Sequence, residues 1–587
     1  MNRAILLVAA FGVGVSLAAE NNYKSSFSKV SSEVQDFLDE EALTETQTVP
    51  SKTYTVDVLG RKKSSNQVTF LSKAKVSPKR KMRVDVVNLD LPDYQEKTVS
   101  TKTEFNPETG KTRLWLNGEE LSQVEFDKAI SKINSEKPDF IPGYTDSLSA
   151  DEINNLLNGN KNVYISKHKD PINQMAYTAI FNTSQISTHA FTNSAKGKGI
   201  GIHFTETGCP HPNFWTSKYQ NVNGCEHGWQ THPTGVLQVL SKTAPEASLY
   251  GYDQGTWPTR ANHSNLEISS HSWASPYSPT NEYIEVDAMM DNYVYTNGIT
   301  AFVAAGNVSP DVPNNKYVSS PGKALNAITV GAINPTNDNY TSYSKWMNSE
   351  IGNEKPEVAN YTDFEFNNTL TFPCGSQTCT YNGYFNGTSA STPYTAAMVA
   401  DLMSHHPSSL KGHPELIKAI LVSGGKRPIP NASTHDPNNQ TVAAKDIPVY
   451  SSLAWNRTFR TWRGENNQVF NSNQKITFTE AGIKGAHYRI GIAWLTSGSY
   501  ILANKDLVQN QGQKMPQDID LKVYQNGKVI AQSLSSTNPF EVVDFTPKTN
   551  DNLTIEIHRY RNTPNRNTNI SLPPEKVILG YSMWVDR

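Results

Sequence analysis

The chain has 587 residues, too many for one hydrophobic core, so several domains are expected. Hydrophobic residues make up 37% and charged residues 18%, but 10 Trp, 26 Tyr and 21 Phe exclude a disordered chain. The net charge of −2 provides no global field for nucleic acid, and no nucleic-acid partner is expected.

The N-terminus reads as a secretory leader. Arg3 supplies a positive charge, "AILLVAAFGVGVSL" is an apolar run of the right length, and "SLAAE" offers cleavage near Ala18 or Ala19. Residues 1–19 are therefore assigned to a signal peptide. The alternative is a single membrane anchor, but the run is short for one and no basic cluster follows it. No later run is long enough to cross a bilayer, so a secreted or periplasmic protein, monomeric and without a span after leader removal, is expected.

Four cysteines after a leader favour two disulfides. Proximity in sequence pairs Cys209 with Cys225 and Cys374 with Cys379, one of three possible connectivities. A metal site is the alternative, but the spacing is not that of paired CxxC ligands.

Residues 20–170 open with a short acidic helix in "VSSEVQDFLDEEAL". The segments "KTYTVDVLG", "QVTFLSK", "RVDVVNL" and "TRLWLNGEEL" follow as strands, with "NGEE" as a turn. "SQVEFDKAISKI" has helical period, and "SADEINNLLNGNKNVYISKH" predicts a capped helix, a turn and a strand. The whole reads as a small α/β module without chemistry of its own.

Residues 171–428 change texture. Short apolar strands ("GIGIHFT", "ASLYGYD", "NLEISSHSW", "ITAFVAAGN", "NAITVGAI") alternate with helical runs ("HPTGVLQVLSKT", "NEYIEVDAMMDNYVYTNG", "STPYTAAMVADLMSHH"). This alternation predicts a mostly parallel sheet with helices on both faces and a site at the carboxyl ends of its strands. Residues 429–587 are strands without a strong helix, with a hairpin signal in "QNGK", and predict an all-β sandwich or jelly roll.

The middle module carries the parts that amide hydrolysis by a serine requires: a nucleophile, a base, an acid to orient it and an oxyanion donor. Ser389 in "NGTSASTP" precedes a helix that Pro393 can begin, at the positive helix end; its alternative is an N-cap. His232 in "THPTGV" starts another helical run, with His211 and His227 as competitors. Asn307 ends "AFVAAGN", where a carboxamide can donate to an oxyanion or simply make a turn.

Each part is ambiguous alone, but the ordered run "GIGIHFTETG…HPTGV…ISSHSWA…AAGN…NGTSASTP" resembles the subtilisin-like serine proteases over roughly 175–425. The resemblance implies that Ser389 is the nucleophile, His232 the general base and Asn307 the side-chain oxyanion donor of an acyl-enzyme mechanism. Ser272 would lie on the strand that pairs with an extended peptide. Two departures stand out. Pro233 replaces a glycine of the family's histidine motif, and the acid is Glu206 where the family has aspartate. The sedolisin branch, with a Ser-Glu-Asp site, shares the Gly-Thr-Ser motif, but His232 and Asn307 favour the subtilisin-like arrangement.

The implied function is a secreted endopeptidase acting on protein or peptide substrates. Its N-terminal module would be a propeptide that assists folding and blocks the cleft; a permanent accessory domain is the alternative. Catalysis needs no cofactor. Asp518 and Asp520 in the last module offer paired carboxylates for a structural calcium ion, or are solvated aspartates. Two further readings are a binding protein that kept the protease fold and, from the β module alone, a glycan-binding protein.

Overall fold

The computed structural model describes most of residues 196–253, 263–424, 458–503, 515–562 and 575–586, with shorter stretches between 30 and 182. The leader lies outside the described residues. The chain divides into two compact units.

The smaller unit comprises residues 28–86 and 145–168. The strand Lys81–Asn88 is the centre of a three-stranded sheet, between Gly143–Ser149 and Val163–Lys167. The helix Ala150–Asn158 starts with a reciprocal cap: the Ser149 hydroxyl accepts from the Glu152 N–H, and the Glu152 carboxylate accepts from the Ser149 N–H. Val34, Phe37, Val84, Ile153 and Ile165 close its core.

The larger unit is built on a seven-stranded sheet in the order Tyr219–Asn221, Ser248–Asp253, Gly201–Glu206, Leu266–His271, Thr300–Ala304, Ile328–Ile333, Val358–Tyr361. Every neighbouring pair is parallel, so the α/β expectation is met in full. Alternate side chains separate two cores, as the two-residue period of a strand demands. Ile202, Phe204, Ile268 and Phe302 face the helices Thr231–Thr243 and Thr388–His405. Leu266, Ala301 and Val303 face the helix Glu285–Asn297. The carboxyl ends of the central strands bring Glu206, His271 and Ala304 to one edge.

The C-terminal strands form two antiparallel sheets. The smaller has the order Lys475–Glu480, Leu553–Asn562, Gln517–Gln525, Lys528–Ser533. The larger runs Phe540–Phe545, His487–Trp494, Ile578–Asp586, Thr458–Glu465, Val99–Asn106, Lys111–Leu116, Glu119–Leu121. Its last three strands therefore come from far upstream in the chain. The Phe478 ring joins the sheets, 5.4 Å from Trp462 and 4.9 Å from Tyr581. The turns Asn117-Gly118 and Asn526-Gly527 hold positive φ at both residues (50° and 88°; 53° and 73°), the backbone that a two-residue hairpin requires. Asp518 and Asp520 lie on the strand Gln517–Gln525, with Asp518 Oδ2 3.9 Å from Arg561 Nη2. Among the described residues, no cluster of three metal-type side chains includes either aspartate.

The larger β-sheet sits on the helix Pro414–Gly424 through glycines. A Cβ at Gly580 would stand 2.7 Å from the Glu415 backbone, and one at Gly491 2.9 Å from the Ala419 carbonyl oxygen. Beside them the buried Arg463 donates to Glu415 at 2.7 Å and to Glu465 at 3.0 Å, so its charge is paired on both sides.

Candidate active site

Ser389 is the second residue of the helix Thr388–His405, whose start is set by Gly387 at φ 79°. The helix begins upstream of Pro393, not at it as the sequence suggests, and Pro393 lies inside. A proline there cannot donate to the carbonyl four residues back, which belongs to Ser389. The Ser272 hydroxyl donates to that carbonyl instead, at 2.9 Å, and so satisfies it.

His232 is the second residue of the helix Thr231–Thr243, and Pro233 follows in the same first turn. N–H groups there have no partner within the helix, so a proline in place of glycine costs no hydrogen bond. His232 Nδ1 is 2.8 Å from Glu206 Oε2, and its Nε2 is 3.0 Å from Ser389 Oγ. All three residues are buried: Glu206 is 1%, His232 2% and Ser389 0% exposed. The longer glutamate arm thus reaches the imidazole at an ordinary hydrogen-bond distance. Among the described residues its other oxygen, Oε1, has no hydrogen-bond partner.

The competing histidines are engaged elsewhere. His227 Nδ1 is 2.7 Å from Asp253, and His211 Nδ1 accepts from the Asn213 N–H at 3.2 Å.

Asn307 Oδ1 accepts from the backbone N–H and the hydroxyl of Thr388, at 3.1 and 3.2 Å. This fixes the oxygen end of the amide on the residue before Ser389 and turns the NH2 end the other way. Gly306, at φ 95°, makes the close turn: a Cβ there would lie 2.3 Å from Ser319 Oγ.

Ser272 is fully buried, and its side chain is committed to Ser389. Backbone pairing falls to the next two residues: Trp273–Ala274 runs antiparallel to Ile172–Asn173, with Trp273 opposite Asn173.

Two contributors are not evident in the sequence. Asp253 ends the strand beside the Glu206 strand and accepts from the N–H groups of Gly208 and His227, both at 2.8 Å. It thereby ties the turn after Glu206 to the loop leading to His232. The Cys209–Cys225 disulfide adds a covalent tie there, and Cys374–Cys379 closes a hairpin; the Cα atoms are 5.7 Å apart in each. The only sequence signal for Asp253 was an acid ending the apolar run "SLYGYD". The second contributor is Phe385, whose ring meets His232 edge-on at 5.3 Å. Gly235, one helical turn after His232, makes room for that ring, since a Cβ there would lie 2.3 Å from Phe385 Cδ2.

Residues 226–440 match the model of the subtilase family (Peptidase_S8), a span that holds His232, Asn307 and Ser389 but begins after Glu206. The chain is 26% identical to serine protease AprX of Bacillus subtilis (strain 168), over 56% of this chain and 83% of AprX. It is 30% identical to subtilisin NAT of Bacillus subtilis subsp. natto, over 33% of this chain and 49% of that protein. It thus spans about half the length of the latter relative. Among solved structures, the epidermin leader peptide processing serine protease of Staphylococcus aureus aligns at 15% identity and a TM-score of 0.33, covering 61% of this chain and 99% of that one. The family match spans the helix starts of His232 and Ser389, so the middle of this chain is similar to a subtilase-family domain.

Proposed function

We propose that the chain is a secreted serine endopeptidase that works through a Ser-His-Glu triad. The observation that carries this reading is the pair of contacts made by His232, to Ser389 Oγ at 3.0 Å and to Glu206 Oε2 at 2.8 Å. Ser389 attacks the scissile carbonyl while His232 takes its proton. His232 then gives that proton to the leaving amine, and water later hydrolyses the acyl-enzyme by the same route. Glu206 holds the imidazole tautomer and stabilises the imidazolium. The Asn307 amide and the Ser389 backbone N–H bind the oxyanion, in a buried site where such donors count most.

An extended substrate adds as a strand along Trp273–Ala274, where the chain's own Ile172–Asn173 now lies. That occupancy supports a role of the N-terminal region as a propeptide covering the cleft. Secretion is supported by the apolar leader sequence and by the two disulfides, which belong to oxidising compartments. The test is casein hydrolysis and fluorophosphonate labelling. The wild type is expected to do both and Ser389→Ala neither; a wild-type protein that stays unlabelled at Ser389 sinks the reading.

A further inference from the structure

Three short segments meet beside the site. The Ser275 N–H donates to the Ser320 carbonyl at 2.8 Å, and the Ser319 N–H donates to the Ala305 carbonyl at 2.9 Å. Ser319 and Ser320 thus bridge the stretch 272–275 and the stretch 305–307. The first borders Ser389 Oγ through the Ser272 carbonyl, and the second ends on Asn307. A side chain starts one bond away from its own carbonyl carbon. The side chain of a residue whose carbonyl lies between Ser389 and Asn307 therefore starts beside both stretches and meets the bridge between them.

Lys345 reaches that bridge. Its N–H donates to the Gly306 carbonyl at 3.0 Å, and its Nζ donates to Ser319 Oγ at 3.0 Å. A Cβ on Gly306 would stand 3.1 Å from Lys345 Cδ as well as 2.3 Å from Ser319 Oγ, so the bare glycine lets both side chains lie in front of it.

Four lysines are buried among the described residues: Lys323, Lys345, Lys355 and Lys418. Lys355 and Lys418 each lie 2.7 Å from Glu357 Oε1. Lys323 donates to Ser320 Oγ at 3.2 Å, and that hydroxyl donates on to Asp287 Oδ2 at 2.7 Å. Lys345 is the exception: among the described residues, no carboxylate pairs with it and its one side-chain hydrogen bond is to Ser319. Burial, and after it the charge of Lys323, brings the Lys345 ammonium down from 10.5 to about 8, which leaves it charged at pH 7. A buried charge calls for an opposite charge, and here the missing partner faces the site.

We propose that Lys345 selects an acidic side chain on the substrate residue whose carbonyl Ser389 attacks, an assignment that rests on the protease reading above. The carboxylate of that residue accepts from Lys345 Nζ. Ser319 Oγ, which accepts from Nζ, keeps its own proton to donate to the same carboxylate. A basic side chain in that place would set two cations together, and an apolar one would leave Lys345 unpaired.

The test uses four peptide anilides that differ only in the residue before the scissile bond: Glu, Gln, Leu or Lys. The full-length wild type, checked by fluorophosphonate labelling at Ser389, is expected to cleave the Glu peptide about 10- to 100-fold better in kcat/KM than the Gln peptide at pH 7, the difference that a hydrogen bond to a charged group supplies. The Lys peptide is expected to be the poorest. Lys345→Met is expected to bring the Glu and Gln peptides to comparable rates, and Lys345→Glu to move the preference to the Lys peptide. A merely structural Lys345 would lower all four rates together and leave their ratios alone. A labelled wild type that cleaves the Gln or Leu peptide as well as the Glu peptide, or cleaves none of the four, overturns the assignment and leaves the nucleophile standing. An unlabelled wild type overturns both. Where a variant does not fold well enough to label, the wild-type ranking decides.

Discussion

The carbonyl oxygen of Ser389 accepts the hydroxyl of Ser272 at 2.9 Å, where an uninterrupted helix would supply the N–H of residue 393, a proline in this chain. The exchange is reciprocal, because Ser389 Oγ also lies 3.1 Å from the Ser272 carbonyl oxygen. The single hydroxyl proton of Ser389 can thus point to Ser272 or to His232, and only the second setting suits the proposed attack.

Ser272→Ala is expected to strand a buried carbonyl and destabilise the fold by about 1–3 kcal/mol. In a Pro393→Ala background the restored N–H can take over, so the same change is expected to cost less. Urea unfolding of the two single variants and the double variant measures the coupling. Strictly additive effects would show that the two positions do not share the carbonyl.

Glu206→Gln keeps the shape but removes the charge and one acceptor. The corresponding amide replacement in another serine protease lowers kcat about 10⁴-fold, and a loss of that order is expected here with KM little changed. Glu206→Asp is the sharper test, since it retracts the carboxylate by about one C–C bond, roughly 1.5 Å. A strand end shaped around glutamate predicts a lower kcat for aspartate. An aspartate variant as fast as the wild type would show that arm length is immaterial.

Gly235→Ala runs against a simple helix argument. Alanine in a helix interior is favoured over glycine by about 1 kcal/mol. Here its Cβ would meet Phe385 at 2.3 Å, and the displaced ring abuts His232. A loss of about 1–3 kcal/mol from overpacking is expected, together with a fall in kcat. Phe385→Ala in the same chain is expected to relieve the stability loss relative to Gly235→Ala alone. Thermal melts and initial rates on a chromogenic peptide measure both; a more stable and fully active Gly235→Ala refutes the contact.

Burial pushes the Glu575 carboxyl from 4.5 up to about 7, although it accepts from Thr496, Ser497 and Gln517. Its pKa is higher folded than unfolded, so the folded state holds the extra proton. The stabilisation is complete below about pH 4.5 and is lost as pH rises through about 7. The window is worth on the order of 3 kcal/mol, at about 1.4 kcal/mol per pKa unit. Glu575→Gln is expected to flatten the fall in Tm between these pH values. An unchanged slope would place the titration elsewhere.

The proposed catalytic arrangement was legible because such chemistry confines particular side chains to strand and helix ends, and "HPTGV", "AAGN" and "GTSASTP" are each local. The parallel sheet was legible from strand-helix alternation. Asp253 was not, because a strand-end acid says nothing about which N–H groups a distant loop will bring to it. The partner of Val99–Asn106 was also hidden, since alternation marks which side chains are buried but not which strand lies alongside. Pro393 reads as a helix start because proline favours first turns; the hydroxyl that lets it sit further in comes from Ser272, between the strands Leu266–His271 and Trp273–Ala274.

The larger C-terminal sheet ends at Glu119–Leu121, a strand of three residues that begins with two exposed glutamates. Short, charged borders of this kind resist stacking against another molecule. Without residues 99–121 the border would be the eight residues of Thr458–Glu465. A preparation lacking the upstream strands is therefore expected to aggregate edge to edge, so residues 99–121 are expected to keep the molecule soluble.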